Sequence, residues 1–150
     1  MSSHHKARRL ALQGLCCLDV QGAKAMEPIE EFIADSEEPQ GVLSDAREML
    51  GWTFRNRPSC DEMLARHARH WDLSRLAMVD RNILRLAVQE LLGRKTPFKV
   101  VIAEALRLAR EFSTAESPRF VNGVLDAVAR EIHDHDSRGS GDTGDEAREE

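Results

Sequence analysis

The sequence predicts an all-α protein: one compact domain of about seven helices. Three observations carry that reading. Apolar residues recur at three- and four-residue steps along most of the chain, and no stretch alternates convincingly at period two. A length of 150 residues suffices for a single core, and internal repeats are absent.

In order along the chain, Leu10, Leu12, Leu15, Leu18 and Val20 stripe a first helix that ends near Gly22. Met26, Ile29, Phe32 and Ile33 mark a short second helix, in which Pro28 is tolerable only within the first turn. Pro39-Gln40-Gly41 reads as a turn. Ser44 then opens a third helix carrying Leu43, Ala46, Met49, Leu50 and Phe54. Pro58-Ser59 breaks the chain before a fourth helix with Met63, Leu64 and Trp71.

The strongest stripe follows Asp72: Leu73, Leu76, Val79, Ile83, Leu86, Ala87 and Leu91, all on one face. Gly93 closes that helix, and Arg94 and Lys95 sit near the negative pole of its dipole. Thr96-Pro97 caps the next, striped by Val100, Val101, Ala105, Leu108 and Phe112. A polar elbow ending in Ser117-Pro118, a cap and a first-turn proline, opens the last helix. That helix buries Phe120 or Val121, then Val124, Leu125, Val128 and Ile132. Residues 134–150 carry almost no apolar side chain, cannot repay their ordering entropy and are expected to be disordered. The domain therefore spans residues 1–133.

Charge is informative only when divided. Seven acids and two arginines lie in residues 134–150, so this tail carries the whole net charge of −5 and the body is neutral. An acidic balance of that kind does not exclude nucleic-acid binding by the body; clustering decides it. No apolar run is long enough to span a membrane, and the opening residues lack a signal-peptide pattern, so the cytoplasm is the expected compartment. Cys16, Cys17 and Cys60, odd in number and without CxxC spacing, read as free thiols.

Reactive chemistry finds little support. His67 and His70 share a helix face and His133-Asp134-His135 is a His-x-His, yet neither pair comes with the further ligands of a zinc site. There is no nucleophile elbow, phosphate loop or zincin motif.

Two places suit RNA. His4, His5, Lys6, Arg8 and Arg9 precede the first acid, Asp19, so the opening of the first helix is cationic or neutral and can hold phosphates. A solvated helix end is the plainer reading of the same residues. The second place is the elbow and helix start, where Glu116, Arg119 and Phe120 combine a carboxylate, a cation and an aromatic ring suited to splayed bases. Glu116 at a helix start and Phe120 in the core would explain these residues without a ligand. Against that, Asn122-Gly123 is a poor choice early in a helix, and a glycine there permits close approach of another backbone.

The string PFKVVIAEALRLAREF, an elbow ending Glu116-Ser117 and then RFVNGVLDAVA resembles the NusB family of bacterial transcription antitermination factors. VDRNILRLAVQEL is similar to that family's middle helix, and RRLALQGL to its first. The resemblance covers most of the chain up to Ile132 and weakens between Gly22 and Trp71. It implies a NusB-like helical domain that pairs with the small-subunit ribosomal protein NusE. Together they would bind boxA RNA in ribosomal RNA operons and join the RNA polymerase antitermination complex, with no cofactor and no catalysis. A homodimer that hides the basic terminus also occurs in the family. The RNA contacts it implies are Lys6, Arg8, Arg9, Gln13, Glu116, Arg119 and Phe120, and Asp80 is the acid offered to the basic partner. Cys16 stands where relatives can carry an aromatic. The alternatives are a protein-only helical adaptor, a NusB-like module of an RNA-modifying system, and a helix-turn-helix DNA binder. The last is disfavoured because no basic recognition helix follows the elbow.

Overall fold

A computed structural model describes the backbone of residues 3–68 and 76–149, with side chains for 4–68 and 76–136. Seven α-helices form among the described residues: α1 (Ser3–Gln21), α2 (Met26–Ala34), α3 (Gln40–Arg55), α4 (Arg57–His67), α5 (Met78–Gly93), α6 (Phe98–Phe112) and α7 (Ser117–Glu149). A single 3₁₀ turn, Ala23–Ala25, joins α1 to α2. No strand occurs among the described residues. Trp71, His70 and Leu73, assigned above to helices, lie outside them.

The centre of the fold is α5, which packs against α1, α3, α4, α6 and α7. Its sequence pattern shows one apolar face, but the helix is buried on nearly all sides: Ile83, Leu84, Leu86, Ala87, Val88 and Leu91 are joined inside by Asp80, Asn82 and Arg85. Neighbours on every side force its polar residues to find partners within the protein. Asp19 of α1 accepts from Asn82 Nδ2 at 2.6 Å and from Arg81 Nη2 at 3.2 Å. Arg85 makes a two-pronged pair with Asp61 of α4, at 2.8 and 2.7 Å. Burial alone would raise the Asp19 carboxyl, but the hydrogen bonds from Asn82 and Arg81 and the charge of Arg85 outweigh it and hold it below the usual range. The DRNILR string is thus a set of internal struts joining α5 to α1 and α4.

Helix boundaries depart from expectation in instructive ways. The α3 helix begins at Gln40, directly after Pro39, because Val42 and Leu43 are buried and extend the apolar face beyond Ser44. Pro58 opens α4 rather than breaking the chain, since a first-turn proline lacks only an N–H that would have had no partner. At the end of α5 the left-handed residue is Arg94 (φ 60°) and not Gly93, which remains helical. In α6, Val100 is 45 % exposed; the inner stripe is Val101, Ile102, Ala105, Leu108 and Ala109. The α7 backbone is helical from Ser117 to Glu149. No proline follows Pro118, and Arg94 pairs with Asp136 at 2.8 Å. The side chains from residue 137 on, where most of the acidic tail lies, are outside the described set.

Close approach is needed at Gly14 rather than at Gly123. A methyl on Gly14 would lie 3.0–3.1 Å from side-chain atoms of Leu50 and Ile29, so its absence lets α1 seat against α2 and α3. A methyl on Gly123 would meet nothing within 4 Å among the described residues, so packing inside this chain does not explain that glycine. The thiols divide by depth: Cys60 is buried, Cys16 half-buried and Cys17 exposed. Burial pushes both Cys16 and Cys60 up to about 11, which leaves them protonated and unreactive.

Candidate nucleic-acid interface

The cationic end of α1 splits into an inner and an outer set. Helical spacing places Arg8 in line with Leu12 and Leu15, at i+4 and i+7, on the face turned inward. Arg8 is 4 % exposed, and its guanidinium grips Glu90 of α5 with Nη2 and Nε at 2.8–3.2 Å. It is therefore a strut that does not reach phosphate, contrary to the expectation that it lies exposed beside Arg9. Its charge satisfies the half-buried Glu90 instead. His5 is fully buried, its two ring nitrogens each 2.7 Å from a carboxylate oxygen of α6, Glu104 and Glu111. Glu104 is held below the usual carboxylate range although burial opposes this, because His5 and Arg107 bond to it.

Lys6, Arg9 and Gln13 form the outer set, at i, i+3 and i+7 on the opposite face of α1. Lys6 and Arg9 are half-exposed and Gln13 is exposed. Lys6 lies 3.2 Å from Glu38, and Arg9 lies 3.4 Å from Glu111 with its guanidinium 5.6 Å from the centre of the Phe112 ring. These are partly solvated pairs, worth roughly 1 kcal/mol or less each. A phosphate can displace the carboxylate from either cation at little cost.

Arg9 leads directly to the second locus. Its partners Glu111 and Phe112 are the last residues of α6, and the elbow begins at Ser113. There the structure brings Asp80, Glu116, Arg119, Phe120 and Gly123 around one cleft of about 890 Å³, with His67, Leu76 and Ala77 across from them. Glu116, Arg119 and Gly123 are exposed and Phe120 is half-buried; Val121 is the residue that fills the core. Phe120 packs partly against the core and also lines the cleft.

Asp80 is the second correction. It is 8 % exposed, and its two oxygens accept from Ser113 Oγ at 2.6 Å and Ser117 Oγ at 2.9 Å. An acid standing open for a basic partner does not fit that geometry. The carboxylate instead fixes both ends of the elbow and so sets the orientation of Glu116, Arg119 and Phe120. Sequence reading missed this role, although serines at positions 113 and 117, bracketing the elbow, were a visible clue. Across the cleft, Glu131 of α7 is held below the usual carboxylate range, first by the hydrogen bond from Arg66, against a smaller effect of burial and with further help from His67.

A half-exposed cationic stripe, a ring beside an arginine, and a carboxylate on a braced elbow have the chemistry to meet phosphates, base faces and base edges. No helix among the described residues is long and apolar enough to cross a membrane.

Comparisons with known proteins agree with the fold and the motifs. The NusB family profile matches residues 5–130. The chain is 42 % identical over 133 residues to the transcription antitermination protein NusB of Koribacter versatilis, covering 87 % of this chain and 90 % of that one. It is likewise 42 % identical over 138 residues to NusB of Solibacter usitatus, covering 88 % and 92 %. Among solved structures, T. maritima NusB superimposes with a TM-score of 0.79 at 34 % identity, over 85 % of this chain and 91 % of that one. NusB in a complex of the antitermination factors NusB and NusE with double-stranded RNA gives 0.77 at 26 % identity, over 87 % and 98 %. With the family profile matched over most of its length, this chain belongs to the NusB family, a family of transcription antitermination proteins and not of enzymes.

Proposed function

We propose that this chain is an RNA-binding transcription antitermination factor that acts in the cytoplasm. It pairs with the ribosomal protein NusE, and the pair holds boxA RNA from ribosomal RNA operons while RNA polymerase passes terminators. The observation that carries this reading is the continuity of the two loci. Arg9, on the same α1 face as Lys6 and Gln13, meets the last turn of α6, which runs straight into the elbow bearing Glu116, Arg119 and Phe120. A single strand laid along that path meets cations first and an aromatic ring after them, the arrangement that single-stranded binding uses. A relative solved with NusE and RNA supports both partners. In this reading Asp80 serves the partner surface indirectly, by bracing the elbow, and self-association as a homodimer would compete with RNA for the α1 stripe.

The test is binding of a boxA-bearing RNA oligomer by fluorescence anisotropy, alone and with the purified ribosomal partner, across a salt series. The expected result is salt-dependent binding that tightens when the partner is added. Partner binding with no affinity for RNA at any salt would favour a protein-only helical adaptor instead.

A further inference from the structure

Outside the interface already described, the most distinctive surface is the corner between α5 and α6. Residues 92–100 carry Arg94, Lys95 and Lys99 and no acid. All three cations are exposed. Lys95 and Lys99 have no ion-pair partner among the described residues. Phe98 is 49 % exposed and Val100 45 %, so the first turn of α6 offers a half-exposed ring between Lys95 and Lys99 in the sequence. The backbone turns this corner through Arg94 in the left-handed conformation (φ 60°), an unusual state for a residue with a side chain, while the adjacent Gly93 is left in the helix. The corner is not remote from the first locus. Lys95, Thr96 and Gly93 line one cleft of about 410 Å³ together with His4 on the first turn of α1, and Asp45 and Glu48 of α3 line its far side, so the cations face a polyanion on the outer side of the corner and not inside the cleft.

We propose that this corner is an additional contact for single-stranded RNA, with Lys95, Lys99 and Arg94 on phosphates and Phe98 under a base. It rests on the reading that the chain binds RNA, and adds a contact on the other side of α1 from the Lys6, Arg9 and Gln13 stripe. The all-basic charge of residues 92–100 favours a polyanion, and lysines with no ion-pair partner among the described residues favour it over a protein, since lysine is depleted from protein–protein interface cores. Among the described residues, the one ion-pair partner that any of the three cations has is itself an oxygen anion. Asp136 Oδ1 lies 2.8 Å from Arg94 Nη1, where a phosphate oxygen would lie.

The test uses the full chain and two RNAs: a boxA oligomer, and the same oligomer carrying single-stranded oligouridine extensions at both ends. Anisotropy is read across a salt series. For the extended RNA, Lys95→Ala/Lys99→Ala should flatten the logarithmic salt slope by about 1.4, at roughly 0.7 for each phosphate no longer neutralised. Phe98→Ala should weaken binding, and Asp136→Asn should tighten it by freeing Arg94. The unextended oligomer should bind these variants as it binds the parent. Melting curves should match the parent's, since every altered side chain is at the surface. An unchanged slope with the extended RNA overturns the proposal. So does a lysine variant that keeps its RNA affinity but no longer binds NusE, which would make the corner a protein-binding surface. An Asp136→Asn protein that binds no more tightly removes Arg94 from the RNA track. Arg9→Ala and Phe120→Ala separate the two levels: if they too leave RNA binding unchanged, RNA binding itself fails, and if only they weaken it, the corner alone fails.

Discussion

Arg8 and Glu90 lock α1 to α5 through a two-pronged ion pair, Nη2 to Oε1 at 2.8 Å and Nε to Oε2 at 2.9 Å, with both side chains turned away from solvent. Two adjacent arginines on one helix thereby have opposite duties. Arg8→Ala strands a largely desolvated carboxylate and should cost about 3–5 kcal/mol of stability. Arg9→Ala should leave stability within about 1 kcal/mol of the parent and flatten the salt slope of RNA binding by roughly 0.7. Urea unfolding and anisotropy on the two single variants measure both effects. Equal stabilities would return Arg8 to the surface.

The two glycines should respond with opposite signs. Gly14→Ala forces a methyl against Leu50 and Ile29 at 3.0–3.1 Å, an overpacking that should cost about 1–3 kcal/mol and outweigh the gain in helix propensity. Gly123→Ala meets nothing within 4 Å among the described residues and should gain up to about 1 kcal/mol. Thermal melts of the pair decide it. If Gly123→Ala also weakens RNA binding while raising the melting temperature, the bare backbone at the cleft serves the ligand.

Acid should loosen the packing of α1 on α5. Asp19 is held below its ordinary value, so its contribution is fully present above about pH 4, the unfolded-state range. That contribution is lost as pH falls through the lower folded-state value. Asp19→Asn should therefore be less stable than the parent at pH 7, and the gap should shrink as the pH drops below about 4. Denaturation midpoints across a pH series measure this. A gap that widens in acid would contradict the network around Arg81, Asn82 and Arg85.

At the elbow, Phe120→Ala should cost about 1–3 kcal/mol of RNA affinity. Its stability cost should fall short of the roughly 3–5 kcal/mol expected for a fully buried ring, since Val121 and not Phe120 fills the core. Glu116→Asn should tighten binding by removing an exposed carboxylate next to phosphate. A Phe120→Ala protein that melts early yet binds RNA normally when folded would withdraw the second locus.

Deleting residues 137–150 should leave the melting temperature nearly unchanged. The segment has almost no apolar side chain to bury. A large loss of stability would show that it packs on the body.

Much of this protein is written in local pattern. Seven helices, their order, and the inner face of α7 follow from apolar spacing, and the FVNG and DRNILR strings carry the family. Which polar residues face solvent does not follow, because it depends on what lies across the core. Arg8 could be placed by its register with Leu12 and Leu15, but only Glu90, 82 positions away, makes its burial tolerable. Asp80 reads as an available acid until Ser113 and Ser117 arrive from the other side of α6. Long-range partners repay the desolvation of a charge, so the tertiary structure decided which members of the cationic terminus and the elbow brace the fold and which are left at the surface.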